Sequence, residues 1–238
     1  MPVEASAGAA VRSGLRRLLL VRAGSTPGPR ERGDPALSDA GRREIAALRR
    51  HWEWADRVVA SPLRRARESA SILCRGRAFD VDPRLRPVER GRYAGLAPDE
   101  LRAEDPVVFA EWAAGRDDAA FPHGETRREF RLRVRDALAA LESGPHASVL
   151  VALHRDGIRE IAAALAGAPL PAGRPAVAEL ALLTRDPDGH WQLGRRSSDP
   201  PPWRSELERT GLSGGSDPWG GRHVGSLELR IDGWRRLT

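Results

Sequence analysis

The amino-acid sequence predicts an α/β fold, in which a mostly parallel sheet is flanked by helices on both faces in a three-layer sandwich. Two segments, 17–22 and 148–153, each contain a short, continuous apolar run, which is typical of strands buried on both faces. Strand-like and helix-like segments alternate between them, which favours parallel strands joined by helical crossovers. A chain of 238 residues can form one such domain with additional terminal segments.

The order of predicted elements follows from apolar spacing and from capping residues. The predicted strands are short apolar segments at 17–22, 56–60, 78–81, 148–153, 178–184 and 191–194. The predicted helices have helical apolar spacing or capping signals, at 38–52, 61–74, 98–104, 125–142 and 157–165. For the second helix we expect Ser61 as the cap and Pro62 as the first helical residue. Apart from one helix, the sequence from 82 to 122 indicates irregular structure.

Composition sets the boundaries of the domain and its expected compartment. We expect a short N-terminal extension over 1–14, a domain over 15–197, and a Pro- and Gly-rich linker and tail over 198–238. The extension lacks the apolar core of a signal peptide, and no apolar run approaches a membrane span. Cys74 is the single cysteine, so an intrachain disulfide is excluded. These features favour a cytoplasmic protein that does not enter a membrane.

Arginine dominates the charge of this chain, because all 39 basic residues are Arg and the formal net charge is +6. An excess of positive charge can indicate a nucleic-acid partner. Here the arginines are interspersed with Asp and Glu and form no long block of one sign. The high arginine content is therefore better explained by the codon usage of a GC-rich genome than by a nucleic-acid partner.

Several groups suited to anion binding lie just beyond the predicted buried strands. Arg22 and Ala23 follow the first strand, and His154 follows the strand at 148–153. Arg65 lies in the first turn of a helix, where backbone amides assist anion binding. In open α/β sheets, ligands bind beyond the carboxyl ends of the strands. We therefore expect these arginines and His154 to form an anion pocket.

Five motifs occur in the order that they have in one known family. They read LVRAGST (20–26), D-x-x-L-S-x-x-G (34–41), SPLRRARESA (61–70), HGET (123–126) and VLVALHRDGIR (149–159). Together they resemble the histidine phosphatase, or phosphoglycerate mutase-like, superfamily over residues 15–197. The resemblance implies a phosphoglycerate mutase-like fold and phosphoryl-transfer chemistry.

In that family a first histidine receives the phosphoryl group, and arginines and a second histidine hold its oxygens. A glutamate protonates the leaving group. The resemblance implies that Arg22, Arg65 and His154 bind phosphate here, and that Thr26 and Glu125 line the entrance.

Two positions depart from the family pattern. Ala23 stands where the family has its nucleophilic histidine. In LRPVERGRYAG (85–95), Pro87 stands where the family has its acid, and Glu89 or Asp156 are the candidate replacements. An alanine methyl cannot carry a covalent phosphate, and a proline side chain has no proton to donate. The nucleophile and the acid are therefore both missing from their usual positions.

These departures favour a pseudo-phosphatase that binds a phosphorylated small molecule or a protein partner. One alternative is a repurposed enzyme that uses His154 with Glu89 or Asp156. Another is an active phosphatase captured as an alanine variant at position 23. A nucleic-acid binder is the weakest alternative. The histidines lack metal-ligand spacing, so we expect no metal and no cofactor, while the oligomeric state stays open.

Overall fold

The computed structural model describes residues 14–28, 33–49, 55–167 and 180–193. Its strands are β1 (Arg17–Arg22), β2 (Arg57–Ala60), β3 (Asp80–Val81), β4 (Ser148–Leu153), β5 (Leu180–Arg185) and β6 (Trp191–Leu193). Its helices are α1 (Asp39–Ala47), α2 (Arg64–Cys74), α3 (Pro98–Glu104), α4 (Pro106–Ala113), α5 (Arg127–Glu142) and α6 (Arg155–Ala166). Short 3-10 turns lie at Pro83–Leu85 and Gly91–Tyr93. The predicted tail and, apart from Gly14, the predicted N-terminal extension lie outside the described residues.

The strands form one mixed sheet in the order β3-β2-β4-β1-β5-β6. The pairs β1–β4, β2–β4 and β2–β3 are parallel, whereas β5 and β6 run antiparallel at one edge. Leu19 pairs with Leu150 on one side and with Leu182 on the other, which places β1 inside the sheet. The prediction of an α/β fold with a mainly parallel sheet is confirmed.

Both faces of the sheet are covered, as the continuous apolar runs predict. Leu18 and Leu20 point into a core shared with α5 and α6, and Leu19 and Val21 point into a second core shared with α1 and α2. This alternation follows from the two-residue side-chain period of a strand. None of the helices in the described ranges is long and apolar enough to cross a membrane.

The start of α2 differs from the prediction, which made Ser61 its cap. The helix begins at Arg64, and its N-cap Leu63 makes no side-chain capping hydrogen bond. Both carboxylate oxygens of Asp34 instead accept a hydrogen bond from the Arg64 amide, at 2.7 and 2.8 Å. The Ser61 hydroxyl pairs with His154 at 2.8 Å and accepts a long hydrogen bond, at 3.4 Å, from the Leu63 amide.

Helix α4 was not predicted, since the sequence from 106 to 113 was expected to be irregular. Asp105 caps this helix by accepting a hydrogen bond from the Val108 amide at 3.0 Å. No residue of α4 is fully buried. The helix therefore lacks the one-sided apolar spacing from which a helix is predicted in a sequence. Trp112 fixes the helix by packing against Phe121, with ring centroids 4.5 Å apart.

Two helix ends also differ from the predicted ones. Helix α1 starts after Ser38 as predicted, but it ends at Ala47 and does not continue to about Trp52, which lies outside the described residues. Helix α5 begins at Arg127, two residues later than predicted. Thr126 and Glu129 form a capping box there, with the Glu129 amide donating to the Thr126 hydroxyl at 3.1 Å.

Candidate anion-binding site

Three strand ends meet at one edge of the sheet, because β1, β2 and β4 are parallel and adjacent. The Ala23 amide donates to the Leu153 carbonyl at 2.9 Å, and the Ser61 amide donates to the Ala152 carbonyl at 2.9 Å. The residues that follow these strands are thereby held side by side. This is the edge at which open α/β sheets bind ligands.

His154 occupies the centre of this edge and is almost fully buried, with 8% of its surface exposed. Its carbonyl accepts a hydrogen bond from the Ile158 amide at 3.0 Å, so it is the N-cap of α6. Its Nε2 lies 2.8 Å from the hydroxyl oxygen of Ser61, which is completely buried. The imidazole is therefore fixed through both its backbone and its ring.

Burial holds the pKa of His154 well below its usual range, and the positive charges of Arg65, Arg22 and Arg133 lower it further. At neutral pH the ring is consequently uncharged. Arg22 and Arg65 thus lie near enough to His154 to act on its charge, while their binding of an anion stays a prediction. The positive charges of Arg22 and Arg65 would attract a bound anion, and the anion in turn would favour protonation of His154.

Arg65 is placed in the pocket by the first turn of α2. Burial lowers the pKa of its guanidinium, and the nearby carboxylate of Asp34 opposes that effect. The Ser69 hydroxyl donates to the Arg65 carbonyl at 2.7 Å and accepts from the Gly24 amide at 3.2 Å. One side chain therefore ties the start of α2 to the loop that follows β1.

Ala23 is buried, with 5% of its surface exposed, and lies between Arg22 and Gly24 in this loop. Ser25, two residues after Ala23, donates two hydrogen bonds to the Glu44 carboxylate of α1, one from its amide and one from its hydroxyl, both at 3.1 Å. These hydrogen bonds fix the loop that carries Ala23. The side chain at position 23 is a methyl group. Thr26, predicted at the entrance, is half-buried in the same loop.

Glu125 is buried and forms an ion pair with Arg133, a residue that the sequence analysis missed. The Arg133 Nε donates to Glu125 at 2.9 Å, and its terminal nitrogens donate to the carbonyls of Arg84, Arg86 and Pro87 at 2.7, 2.8 and 2.9 Å. With the further bond from Nη2 to Glu125, all five N–H groups of Arg133 are used. Arg133 therefore fixes the segment that carries Pro87.

The sequence does not distinguish Arg133 from its neighbours, because α5 carries five arginines, at 127, 128, 131, 133 and 135. Side chains on a helix lean towards its N-terminus, which lets Arg133 reach back to Glu125. Arg133 is distinguished by the three-dimensional position of the segment 84–87, whose carbonyls accept its hydrogen bonds.

Glu89 and Asp156, the two candidate replacement acids, lie in different surroundings. Glu89 is exposed, its amide donates to Glu125 at 2.8 Å, and it lines a cavity of about 500 Å³ with Arg86 and His123. Asp156 lies in the first turn of α6, with Oδ1 3.5 Å from Nε of Arg155. Among the described residues, no group of three acidic, His or Cys side chains is arranged to hold a metal ion.

Comparison with known protein families establishes the superfamily of this chain. Residues 18–196 match the histidine phosphatase superfamily (branch 1), which is most of the chain. The chain belongs to this superfamily. The resemblance on which the five motifs depended is thus confirmed, together with the phosphoglycerate mutase-like fold.

Individual relatives of the chain include a probable phosphoglycerate mutase and a bifunctional protein. The chain is 29% identical over 168 residues to the probable phosphoglycerate mutase GpmB of Cronobacter sakazakii, covering 66% of this chain and 78% of GpmB. It is 33% identical over 150 residues to the bifunctional protein Rv2228c of Mycobacterium tuberculosis, covering 58% of this chain and 41% of that protein. The match therefore spans less than half of Rv2228c.

A solved phosphatase structure resembles the chain over three quarters of its length. The mycobacterial glucosyl-3-phosphoglycerate phosphatase Rv2419c superimposes with a TM-score of 0.61 and 30% identity, covering 75% of this chain and 97% of that one. The alpha-ribazole phosphatase of Shigella flexneri, at 22% identity and a TM-score of 0.65, shares the fold, with 76% of this chain and 96% of that one covered.

Proposed function

We propose that this chain is a pseudo-phosphatase, which binds a phosphorylated or other anionic ligand without forming a phosphohistidine. The observation that carries the proposal is Ala23, a buried methyl group beside the pocket of Arg22, Arg65 and His154. Phosphohistidine formation needs an imidazole at the attacking position, and removal of a nucleophile lowers the rate by orders of magnitude. Arg22, Arg65 and His154, the groups that we assign to anion binding, are retained in the sequence.

The acid position supports the same proposal. Pro87 has no proton to donate, and Arg133 holds its carbonyl at 2.9 Å. Glu89 is two residues further on, and its side chain is exposed beside the cavity that Arg86 and His123 line. Both halves of the usual chemistry, nucleophile and acid, therefore lack their groups.

The proposed ligand is a phosphate ester, either a small metabolite or a phosphorylated protein partner. Two arginines and a neutral imidazole suit a phosphoryl dianion, since guanidinium groups bind its oxygens in pairs. The names of GpmB and Rv2419c refer to phosphorylated metabolites, which supports the small-molecule choice.

The test combines binding with restored chemistry. We expect inorganic phosphate to bind the unaltered chain in calorimetry, and Arg65→Ala to abolish that binding. The double variant Ala23→His/Pro87→Glu is expected to gain hydrolysis of an aryl phosphate, while the control Ala23→Asn/Pro87→Glu is expected to stay inactive. Robust turnover through a phosphohistidine in the unaltered chain would contradict the proposal.

The same assay separates the repurposed-enzyme alternative. Asp156 lies two residues from His154, in the first turn of α6, which is the observation that favours it. Turnover of an anionic substrate that is abolished by His154→Ala, but unaffected by the identity of residue 23, would establish that function in place of the pseudo-phosphatase.

A further inference from the structure

Ser61 is completely buried, so the hydrogen of its hydroxyl needs an acceptor within the protein. The hydroxyl oxygen lies 2.8 Å from Nε2 of His154 and 3.4 Å from the amide nitrogen of Leu63. The Leu63 amide is itself a donor and cannot accept this hydrogen. Among the described residues, Nε2 of His154 is therefore the acceptor that the Ser61 hydroxyl reaches.

This geometry decides which ring nitrogen of the neutral His154 carries the proton. A neutral imidazole has one N–H group and one bare nitrogen, and the hydrogen bond at one nitrogen sets the state of the other. If Nε2 carried the proton, the Ser61 oxygen would have to accept it, and the hydroxyl hydrogen would be buried without a partner. An unpaired buried donor is costly. We therefore expect Ser61 to donate to a bare Nε2, which leaves the proton on Nδ1.

Nδ1 lies on the open side of the ring. His154 is the N-cap of α6, yet its side chain accepts no hydrogen bond from the amides of that helix, as expected if Nδ1 is a donor. Among the described residues no other hydrogen bond reaches the ring, and the sealed polar side-chain atom without a partner there belongs to Arg127. Nδ1 is therefore not sealed, and it lies within the 8% of His154 that is exposed.

A donor at Nδ1 suits the anion that the site is proposed to hold. Guanidinium groups donate hydrogen bonds and cannot accept them, so Arg22 and Arg65 offer an oxyanion donors alone. With its proton on Nδ1, the ring of His154 does the same while it stays uncharged. The opposite tautomer would present a bare nitrogen lone pair, which repels the oxygen of an anion.

We propose that Ser61 is a positioning residue, which holds the neutral His154 as its Nδ1–H tautomer so that the ring donates a hydrogen bond to an oxygen of the bound anion. The inference rests on the proposed anion-binding function and adds to it a residue that does not touch the ligand. Because Ser61 is completely buried, its effect on binding passes through His154.

Nitrogen-15 NMR of the ring tests this at about pH 8, where the neutral form of histidine prevails. Protonated and bare imidazole nitrogens give well-separated signals. The signals of His154 are identified among those of the six histidines by their loss in His154→Gln. In the unaltered chain without ligand, we expect Nδ1 to carry the proton and Nε2 to be bare. A protonated Nε2 would overturn the inference, and this measurement needs no variant of Ser61 that folds.

Two completely buried serines provide a matched pair of variants. Ser61→Ala removes the donor to Nε2 and is expected to populate the Nε2–H tautomer, because water at the open Nδ1 can donate as well as accept. Ser69→Ala removes a hydroxyl that bonds to the Arg65 carbonyl and the Gly24 amide. This control is expected to leave the His154 pattern unchanged, and Ser61→Thr, which retains a hydroxyl, is expected to retain it. An unchanged pattern in Ser61→Ala would show that Ser61 does not fix the tautomer.

Calorimetry with inorganic phosphate at the same pH connects the tautomer with binding. If the Nδ1–H ring is the binding form, Ser61→Ala weakens phosphate binding by the factor by which it depletes that tautomer, which we expect to be severalfold. Ser61→Thr is expected to bind phosphate like the unaltered chain. Unchanged affinity in a Ser61→Ala protein with mixed tautomers would overturn the inference.

The outcomes separate this inference from the proposed function. If phosphate binds but Nε2 of His154 carries the proton, the role of Ser61 is wrong and the phosphate pocket stands. If phosphate does not bind the unaltered chain, both proposals fall.

Discussion

The hydroxyl oxygen of Ser61 lies 2.8 Å from Nε2 of His154, and both side chains are buried at the adjoining ends of β2 and β4. The Ser61 amide is fixed as well, since it donates to the Ala152 carbonyl. This pairing holds an uncharged imidazole in a site surrounded by guanidinium groups. The protonation of His154 should therefore be linked both to folding and to anion binding.

Acidification should destabilise the fold through His154. Its pKa is lowered in the folded state, whereas in the unfolded chain it takes the ordinary value of about 6.5. Below that pH the unfolded chain binds more protons, so the free energy of unfolding falls as the pH falls towards the folded-state pKa. One such group contributes at most about 1.4 kcal/mol per pH unit.

Urea unfolding as a function of pH measures this effect. His154→Gln, which keeps a polar side chain towards Ser61, is expected to show a smaller loss of stability below about pH 6.5 than the unaltered chain. His190→Gln alters a histidine whose side chain is 80% exposed and should retain the original dependence. Identical pH profiles for all three proteins would contradict the assignment.

Anion binding should be accompanied by proton uptake at His154. A bound dianion offsets the charges of Arg22 and Arg65 and raises the pKa that those charges lower. Sulfate is the probe, because its own charge is constant over this range. Calorimetry in mildly acidic buffers of different ionisation enthalpy should detect uptake of up to one proton, and by linkage the affinity should rise as pH falls. Sulfate binding without buffer dependence, or with the same dependence in His154→Gln, would exclude this coupling.

Arg133 should be among the most sensitive positions for stability. Arg133→Met leaves the buried Glu125 carboxylate without its main partner and unpairs the carbonyls of the 84–87 segment. Breaking a buried pair in this way destabilises a protein by about 3–5 kcal/mol. Denaturant unfolding measures the loss.

The exposed pair Arg116–Asp118 provides a matched control for Arg133, since Arg116→Met should change stability by less than about 1 kcal/mol. Glu125→Gln in the Arg133→Met background should recover part of the loss, because it removes the unpaired charge. Equal effects of the two arginine substitutions would show that the buried pair is not a stabilising contact.

Gly41 should be required for the loop that carries Ala23. A Cβ at this position would lie 2.2 Å from the Ser25 carbonyl oxygen and 2.7 Å from its amide nitrogen. Alanine normally favours a helix by about 1 kcal/mol over glycine, but a clash with backbone costs about 1–3 kcal/mol and should prevail.

Gly41→Ala should thus lower both the melting temperature and the affinity for phosphate. Gly28→Ala is the control, because a Cβ there meets nothing within 4 Å. A Gly41→Ala protein with unchanged melting temperature and phosphate affinity would show that the loop adapts at no cost.

The sequence alone determined the layers of the fold and the chain positions of the pocket. Short uninterrupted apolar runs are typical of strands covered on both faces, and β1 and β4 were predicted with the bounds that the structure has. Arg22, Arg65 and His154 were predicted as one site because ligands bind beyond the carboxyl ends of the strands in open α/β sheets. Ala23 and Pro87 were visible as substitutions within motifs.

Tertiary structure alone decided which polar groups became partners. Ser61 carried a capping signal, but its hydroxyl pairs with His154 at a sequence separation of 93 residues, and Asp34 holds the start of α2 instead. Arg133 was one of several equivalent arginines on α5 until burial beside Glu125 distinguished it. Local propensity depends on neighbours along the chain, whereas desolvation depends on every segment that packs against a group, and that information exists only once the chain has folded.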